Sequence, residues 1–61
     1  MEQVLHNLDV NGLLISVTQE TDKTVLIVVK NDTVVDKKGQ WVVDSLEREE
    51  HRTKIRYRYN Q

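Results

Sequence analysis

The stretch Val25-Leu26-Ile27-Val28-Val29 is the most β-prone run of this 61-residue chain. Aliphatic, mostly β-branched side chains favour extended backbone, in which successive side chains point to opposite sides of the strand. Val25, Ile27 and Val29 then line one side, while Leu26 and Val28 line the other. A strand that is apolar on both sides is typical of one that is covered on both sides.

The pair Asn11-Gly12 lies upstream of this run. Asn-Gly is preferred in the two-residue type I′ turn of a hairpin, because both central residues adopt positive φ. Such a turn would pair Val10 with Leu13. The other pairs on the same side of this predicted ribbon are Leu8–Ile15, His6–Val17 and Val4–Gln19.

Residues 20–24 form a polar connection between the predicted hairpin and the β-prone run. With residues 21–23 as a loop, Val17 pairs with Ile27 and Ile15 pairs with Val29. The same apolar side then continues onto the third strand, because paired residues share a side of the sheet. We therefore predict a three-stranded meander over residues 3–30.

Two further elements are expected between residues 31 and 52. The first is a looser hairpin, in which residues 33–35 and 41–43 flank a polar connection. The second is a short helix over residues 45–52, because Asp44 and Glu47 match a capping box and most of the following residues favour helix. A polar loop is the alternative, since Leu46 alone offers a core contact.

The last segment, residues 53–60, returns to period two. Ile55, Tyr57 and Tyr59 alternate with basic residues, which predicts a half-buried strand. The predicted fold is therefore mostly β (α+β): one small domain over residues 1–61 with an antiparallel sheet of four to five strands, a meander plus a C-terminal strand. The sheet is open or barrel-like, with at most one short helix near residues 45–52. The rival is a five-stranded SH3-like barrel.

Composition limits the classes of function. The absence of cysteine excludes disulfides and thiolate metal ligands, so a chain of this size relies on its core or on another subunit. A net charge of -1 gives no overall attraction to nucleic acid or to anionic membrane. No signal sequence or membrane-spanning run is evident, so we expect a soluble, cytoplasmic protein.

The residues offer little for catalysis. Two serines and two histidines are present without a recognisable nucleophile, base and oxyanion arrangement, and two glycines cannot form a phosphate-binding loop. Glu47 and His51 stand four residues apart, but on a helix an ion pair is a simpler explanation than a metal site. We expect neither enzymatic activity nor a cofactor, metal or small-molecule substrate.

Apolar residues on the second side of the sheet predict a protein interface. Because soluble monomers rarely expose large apolar patches, we expect them to be covered by closure of the sheet into a small barrel, by the short helix with Trp41 and Leu46, or by another protein chain. The candidate interface residues are Leu14, Leu26, Val28 and Trp41. The predicted function is a non-enzymatic protein-interaction module: a homo-oligomer, an accessory subunit, or an inhibitor that docks on a larger protein. The size of the chain suits a bacterial or phage accessory protein.

A basic C-terminal strand supports an alternative function. Basic side chains at alternate positions are spaced about 6.6 Å apart, which resembles the spacing of phosphates along a nucleic acid strand. The candidate nucleic-acid-binding residues are Arg52, Lys54, Arg56 and Arg58. Alternation places the tyrosines on the other side of the strand, and nearby acidic residues can neutralise the basic row. Mimicry of a nucleic acid by those acidic residues is a third, weaker hypothesis.

Overall fold

The structure is a computed structural model that describes residues 2–31, 33 and 39–60. One helix and four strands follow one another: α1 (Glu2–Val10), β1 (Leu14–Thr21), β2 (Thr24–Lys30), β3 (Trp41–Arg48) and β4 (Arg52–Tyr59). The strands form one antiparallel sheet in the order β1-β2-β4-β3. The predicted class, a mostly β domain with a small antiparallel sheet of four strands, is confirmed, although the described helix lies at Glu2–Val10. The sheet is open, so neither predicted barrel forms.

The N-terminal segment is a helix, and the hairpin predicted at Asn11-Gly12 is wrong. Gly12 has a φ of 71° and ends α1 in the left-handed conformation. Its amide donates to the carbonyl of Asp9 at 3.0 Å, and the amide of Leu13 donates to the carbonyl of Leu8 at 2.9 Å. These two bonds define a Schellman motif, which satisfies carbonyls at the end of a helix.

Packing explains why this segment is helical. Val4, Leu5 and Leu8 have helical spacing and pack in or against the core. Leu13 also packs against the core, next to the end of the helix, as is common in a Schellman motif. The Asn-Gly pair suits a type I′ turn and a helix end equally well, so the apolar spacing before it decides between them.

The β1–β2 hairpin agrees in part with the predicted meander. Val17 lies opposite Ile27, as predicted. Val29 lies opposite Leu14 instead of Ile15, because the register shifts between Leu14 and Ser16. The extra residue of this β-bulge places Leu14 on the same side of the sheet as Val17.

The helix predicted over residues 45–52 is wrong, because this part of the chain forms the end of β3, a turn and the start of β4. The amide of Glu49 donates to the carbonyl of Arg52 at 2.8 Å across the turn. β3 pairs along its whole length with β4, and these tertiary contacts override helix propensity. Trp41–Val43 therefore pairs with β4, and residues 34–38 of the predicted looser hairpin lie outside the described residues.

The core lies between α1 and the two central strands, β2 and β4. Its fully buried side chains include Ile27, Val29, Ile55 and Tyr57, with Leu8 of α1 packed on them. Buried Thr53 donates its hydroxyl hydrogen to the carbonyl of Asn31 at 2.5 Å. Among the described side chains, no buried nitrogen or oxygen lacks a hydrogen-bond partner.

The helix end gives a prediction about stability. Gly12→Ala should lower the free energy of unfolding by about 1 kcal/mol, because alanine disfavours positive φ. Open space surrounds the position at which a Cβ would lie, so the loss would be conformational. Urea denaturation measures it. Gly12→Asn is the matched control and should cost less, because asparagine tolerates this conformation.

Asn11→Ala distinguishes the helix end from a type I′ turn. In the structure Asn11 does not have positive φ, and its exposed amide group donates only to the carbonyl of Asn7. We therefore expect Asn11→Ala to change stability by less than about 0.5 kcal/mol. A cost equal to that of Gly12→Ala would support the hairpin and contradict the helix.

Candidate functional site

The sheet has two different faces. We call the face that carries Ile27, Ile55 and Tyr57 the core face, since α1 packs on it. We call the opposite face, which carries Lys54 and Arg56, the charged face. Cross-strand partners share a face in an antiparallel sheet, so the register assigns the remaining residues to one face or the other.

The apolar residues of the charged face are covered within a single chain. Val28 is only 7% exposed, and Leu26 is half-buried. Lys54 lies directly opposite Val28 and Arg56 opposite Leu26, so their hydrocarbon stems flank the apolar side chains while their charges reach water. Val28 is therefore buried within a single chain, and a partner over the half-buried Leu26 stays a prediction.

The four candidate interface residues do not share one surface. Leu14 and Trp41 lie on the core face, where both are half-buried and pack against the core. Trp41 also contacts Tyr59 in an edge-to-face arrangement with ring centroids 5.2 Å apart. Leu26 and Val28 lie on the other face, so the predicted grouping is wrong. Whether any of these residues binds a partner stays a prediction.

Each of the four candidate nucleic-acid-binding cations is paired with a carboxylate. Arg56 donates from Nε and Nη2 to the two carboxylate oxygens of Glu20, at 2.6 and 3.1 Å. Arg52 and Lys54 both contact Glu49, with 3.4 Å between Lys54 Nζ and Glu49 Oε2. The remaining pair joins Arg58 to Asp44 at 3.7 Å.

Two of these ion pairs join β4 to an edge strand: the Glu20–Arg56 pair spans β2, and the Asp44–Arg58 pair joins adjacent strands. Glu20 extends from β1 and Asp44 from β3, so carboxylates on both edge strands face the basic row of β4. Because β4 is a central strand, its charges do not lie on an edge of the sheet. Nucleic-acid binding stays a prediction, but phosphates would have to displace these carboxylates.

The same pairs shift the acidity of two glutamates. The hydrogen bond from Arg56 lowers the pKa of Glu20 below its ordinary value, and the charge of Arg56 adds to the effect. The hydrogen bond from Arg52 likewise lowers the pKa of Glu49, with Lys54 contributing in the same direction. Both carboxylates therefore stay ionised to lower pH in the folded chain than in the unfolded chain.

Two exposed apolar residues lie together at the β3 edge; the other exposed large apolar residues described are Val10 of α1 and Ile15 and Val17 of β1. Val43 and Leu46 are 44% and 46% exposed, and both lie on the core face, opposite Tyr57 and Ile55 respectively. Their partners stand two residues apart, so the two side chains are neighbours about 6.6 Å apart along the strand. A β-bulge at Asp44 places both on the same face despite their spacing of three.

The backbone of β3 is unpaired on its outer side within the described residues. The Gln40 carbonyl accepts from the amide of Asn60, and the Glu49 amide donates to Arg52, so both residues face β4. On either side of the bulge, successive residues direct their amide and carbonyl groups alternately towards β4 and away from it. The residues whose amide and carbonyl groups face outward are therefore Trp41, Val43, Leu46 and Arg48.

The opposite edge, β1, is less suited to pairing with another strand. Its register is interrupted twice within eight residues, between Leu14 and Ser16 and between Gln19 and Thr21. Bulges of this kind make regular edge pairing difficult. Val17 is 42% exposed on the core face, between the half-buried Leu14 and the polar Gln19, and Ile15, 47% exposed, lies at the first interruption.

The described residues show no assembled catalytic or metal-binding group. Ser45 lies in the middle of β3, where Arg56 donates to its hydroxyl group, whereas His51 lies in the turn beyond the strand. Glu47 lies opposite Lys54 and does not share a helix face with His51. No set of three described His, Asp or Glu side chains lies close enough to hold a metal ion.

The β3 edge was missed by sequence reasoning because the bulge hides it. Trp41 and Val43 follow period two, but Leu46 does not, and the residues after it are good helix formers. A strand with one extra residue at Asp44 would restore the alternation. A bulged strand over these residues could therefore have been considered from the sequence, although the sequence alone does not favour it over a helix.

Comparison with protein-family models, with curated proteins and with solved structures finds no match to this chain. Within the part of the chain that the structure describes, no helix is long and apolar enough to cross a membrane. The site is therefore interpreted from its own geometry.

The lowered pKa values predict how stability depends on pH. The contributions of Glu20 and Glu49 are present above the ordinary glutamate value of 4.5 and are lost as pH falls through the lower folded-state values. Urea denaturation between pH 7 and pH 2 measures the free energy of unfolding. The excess of wild type over Glu20→Gln and over Glu49→Gln should disappear in this acidic range.

Glu50→Gln is the matched control, because Glu50 is exposed and contacts only the exposed His51, at 3.7 Å. It should follow the wild-type pH profile more closely than Glu49→Gln does. High salt should reduce the advantage of wild type over both paired variants, because these pairs lie at the surface. A stability difference that persists unchanged at the lowest pH would contradict the assignment to ion pairing.

Proposed function

We propose that this chain is a non-enzymatic protein-binding module that accepts an extended strand of another protein chain along β3. The supporting observation is the combination on one edge of outward backbone groups with exposed Val43 and Leu46. Addition of a strand to an exposed sheet edge is a common mode of peptide recognition: backbone hydrogen bonds supply affinity and alternate side chains supply specificity.

The chemistry of the edge defines the ligand. An added strand would extend the core face, so its residues beside Val43 and Leu46 should be apolar. The other side of that strand would extend the charged face beside Glu47 and Ser45 and should be polar or basic. We therefore expect an extended segment with alternating apolar and polar residues, supplied by a second copy of the chain or by a larger protein to which it is an accessory subunit.

The proposal retains the function predicted from the sequence but moves the binding surface. Val28 is already buried and Leu26 half-buried within the single chain, and Trp41 packs against the core and Tyr59. The β3 edge combines apolar contacts with outward backbone groups that no other described strand pairs with, whereas the four candidate cations of the basic row are each ion-paired. Protein binding is therefore better supported than nucleic-acid binding.

Peptide selection tests this proposal. A display library of random eight-residue peptides, matched in length to β3, should yield ligands with alternating apolar residues when selected on the wild-type chain. The double variant Val43→Lys, Leu46→Lys should weaken binding of these peptides by about tenfold or more, because it replaces the apolar contacts with charge. Isothermal titration with synthetic peptides measures the effect.

Val17→Lys is the matched control, since Val17 has similar exposure and the same face but lies on the opposite edge. It should leave the affinity within about twofold of wild type, as expected for a residue outside the interface. Equal weakening by both changes would place binding elsewhere and contradict the proposal. Selected peptides that are insensitive to the β3 changes would contradict it as well.

A further inference from the structure

We infer that the strand accepted by β3 is β3 of a second copy, paired antiparallel about a two-fold axis at the Asp44 bulge. This inference rests on the proposed function and names its partner. In the inferred register Trp41 pairs with Arg48 of the second copy, and Val43 pairs with Leu46 of the second copy. All eight residues of β3 are then paired.

The bulge makes this register possible. Directly opposed residues in an antiparallel pair lie on the same face, so a regular strand pairs with itself only between positions separated by an even number. Trp41 and Arg48, like Val43 and Leu46, are separated by odd numbers, yet the register with β4 places all four on the core face. The extra residue at Asp44 accounts for the match.

The backbone groups match in the same way. The four residues with outward amide and carbonyl groups are the ones that oppose one another in this register, so each opposed pair can exchange both of its hydrogen bonds. Registers centred on one residue, such as Val43 or Leu46, also keep the faces matched if the bulge again counts as one position, as it does opposite β4. They use only part of the strand.

The opposed side chains are chemically compatible. Val43 and Leu46 of the second copy form an apolar pair on each side of the axis, and the Arg48 guanidinium lies near the Trp41 ring, a favourable pairing of cation and aromatic group. Val42 opposes Glu47. The two Asp44 side chains flank the axis, but each is held 3.7 Å from its own Arg58 on the charged face. A register centred on Glu47 would instead oppose like charges, which is destabilising.

The size of the contact predicts a weak dimer. Pairing along one edge belongs to the small class of interfaces, below about 1,200 Å² in total or about 600 Å² per chain. That is about a seventh of the 4318 Å² surface of the chain. Two-fold pairing of β3 also closes the assembly, because each copy uses the same edge. The β1 strands, whose register is interrupted twice, form the outer edges of the dimer.

Cross-linking tests the register, because the natural chain contains no cysteine. Val43→Cys and Leu46→Cys proteins, mixed under mild oxidation, should form a disulfide-linked heterodimer severalfold faster than either protein forms a homodimer. Opposed residues have Cα atoms about 5.5 Å apart, within disulfide reach. Val43 and Val43 of the second copy would be offset by about 6.6 Å along the strand in addition to the spacing of about 5 Å between strands, which puts their Cα atoms beyond the disulfide limit of about 7 Å.

Thr18→Cys is the control, because Thr18 is exposed on the opposite edge strand, and it should cross-link slowly, as random collisions do. Wild type should also sediment with a mass that rises from 7.2 kDa towards twice that value with concentration. The inference is wrong if wild type stays monomeric, if either single variant cross-links as fast as the mixture, or if Thr18→Cys does.

Peptide binding at β3 by a monomer would contradict this inference but leave the proposed function standing. Absence of both peptide binding and self-pairing would contradict both.

Discussion

Burial of Ile27, Ile55 and Tyr57 beneath α1 is the constraint on which the rest of the structure depends. A chain of this length can form little more than one apolar layer, and here β2 and β4 supply one side of it while Leu8 packs from the other. Each central strand needs a second neighbouring strand, on its outer side, to satisfy the hydrogen-bonding groups of its backbone. β1 and β3 fill those positions, and their outer sides become the edges of the sheet.

The apolar residues of the charged face are shielded from water in a different way. This face has no described helix or strand over it, and Val28 is nevertheless withdrawn from water beside the stems of Lys54 and its neighbours. Carboxylates from both edge strands hold these cations in place, so the pairs connect strands that are distant in sequence, such as Glu20 of β1 with Arg56 of β4. The apolar character of β2 on both sides therefore does not by itself require a partner on this face. The edge of β3 has no comparable cover within the described residues.

The sequence predicts those parts of the fold that depend on regular alternation. The two-sided β2 run, the alternating β4 and the Val17–Ile27 pair all follow from period two. Prediction from the sequence fails where one local pattern is compatible with two structures. Asn11-Gly12 serves a turn or a helix end, and Leu46 is displaced from alternation by the bulge at Asp44. Only the packing of α1 and the pairing of β3 with β4 decide these cases, and the binding edge was missed for the same reason.

Residue-resolved amide exchange as a function of protein concentration tests the central claim, that the chain binds through the β3 edge, most directly. The amides of β2 and β4 should exchange slowest at every concentration, because they lie in the centre of the sheet. The outward amides of Val43 and Leu46 should exchange quickly in dilute solution and become protected as concentration rises, while those of β1 do not change. Protection that grows along β1, or outward β3 amides that stay unprotected at high concentration and with bound peptide, would contradict the account.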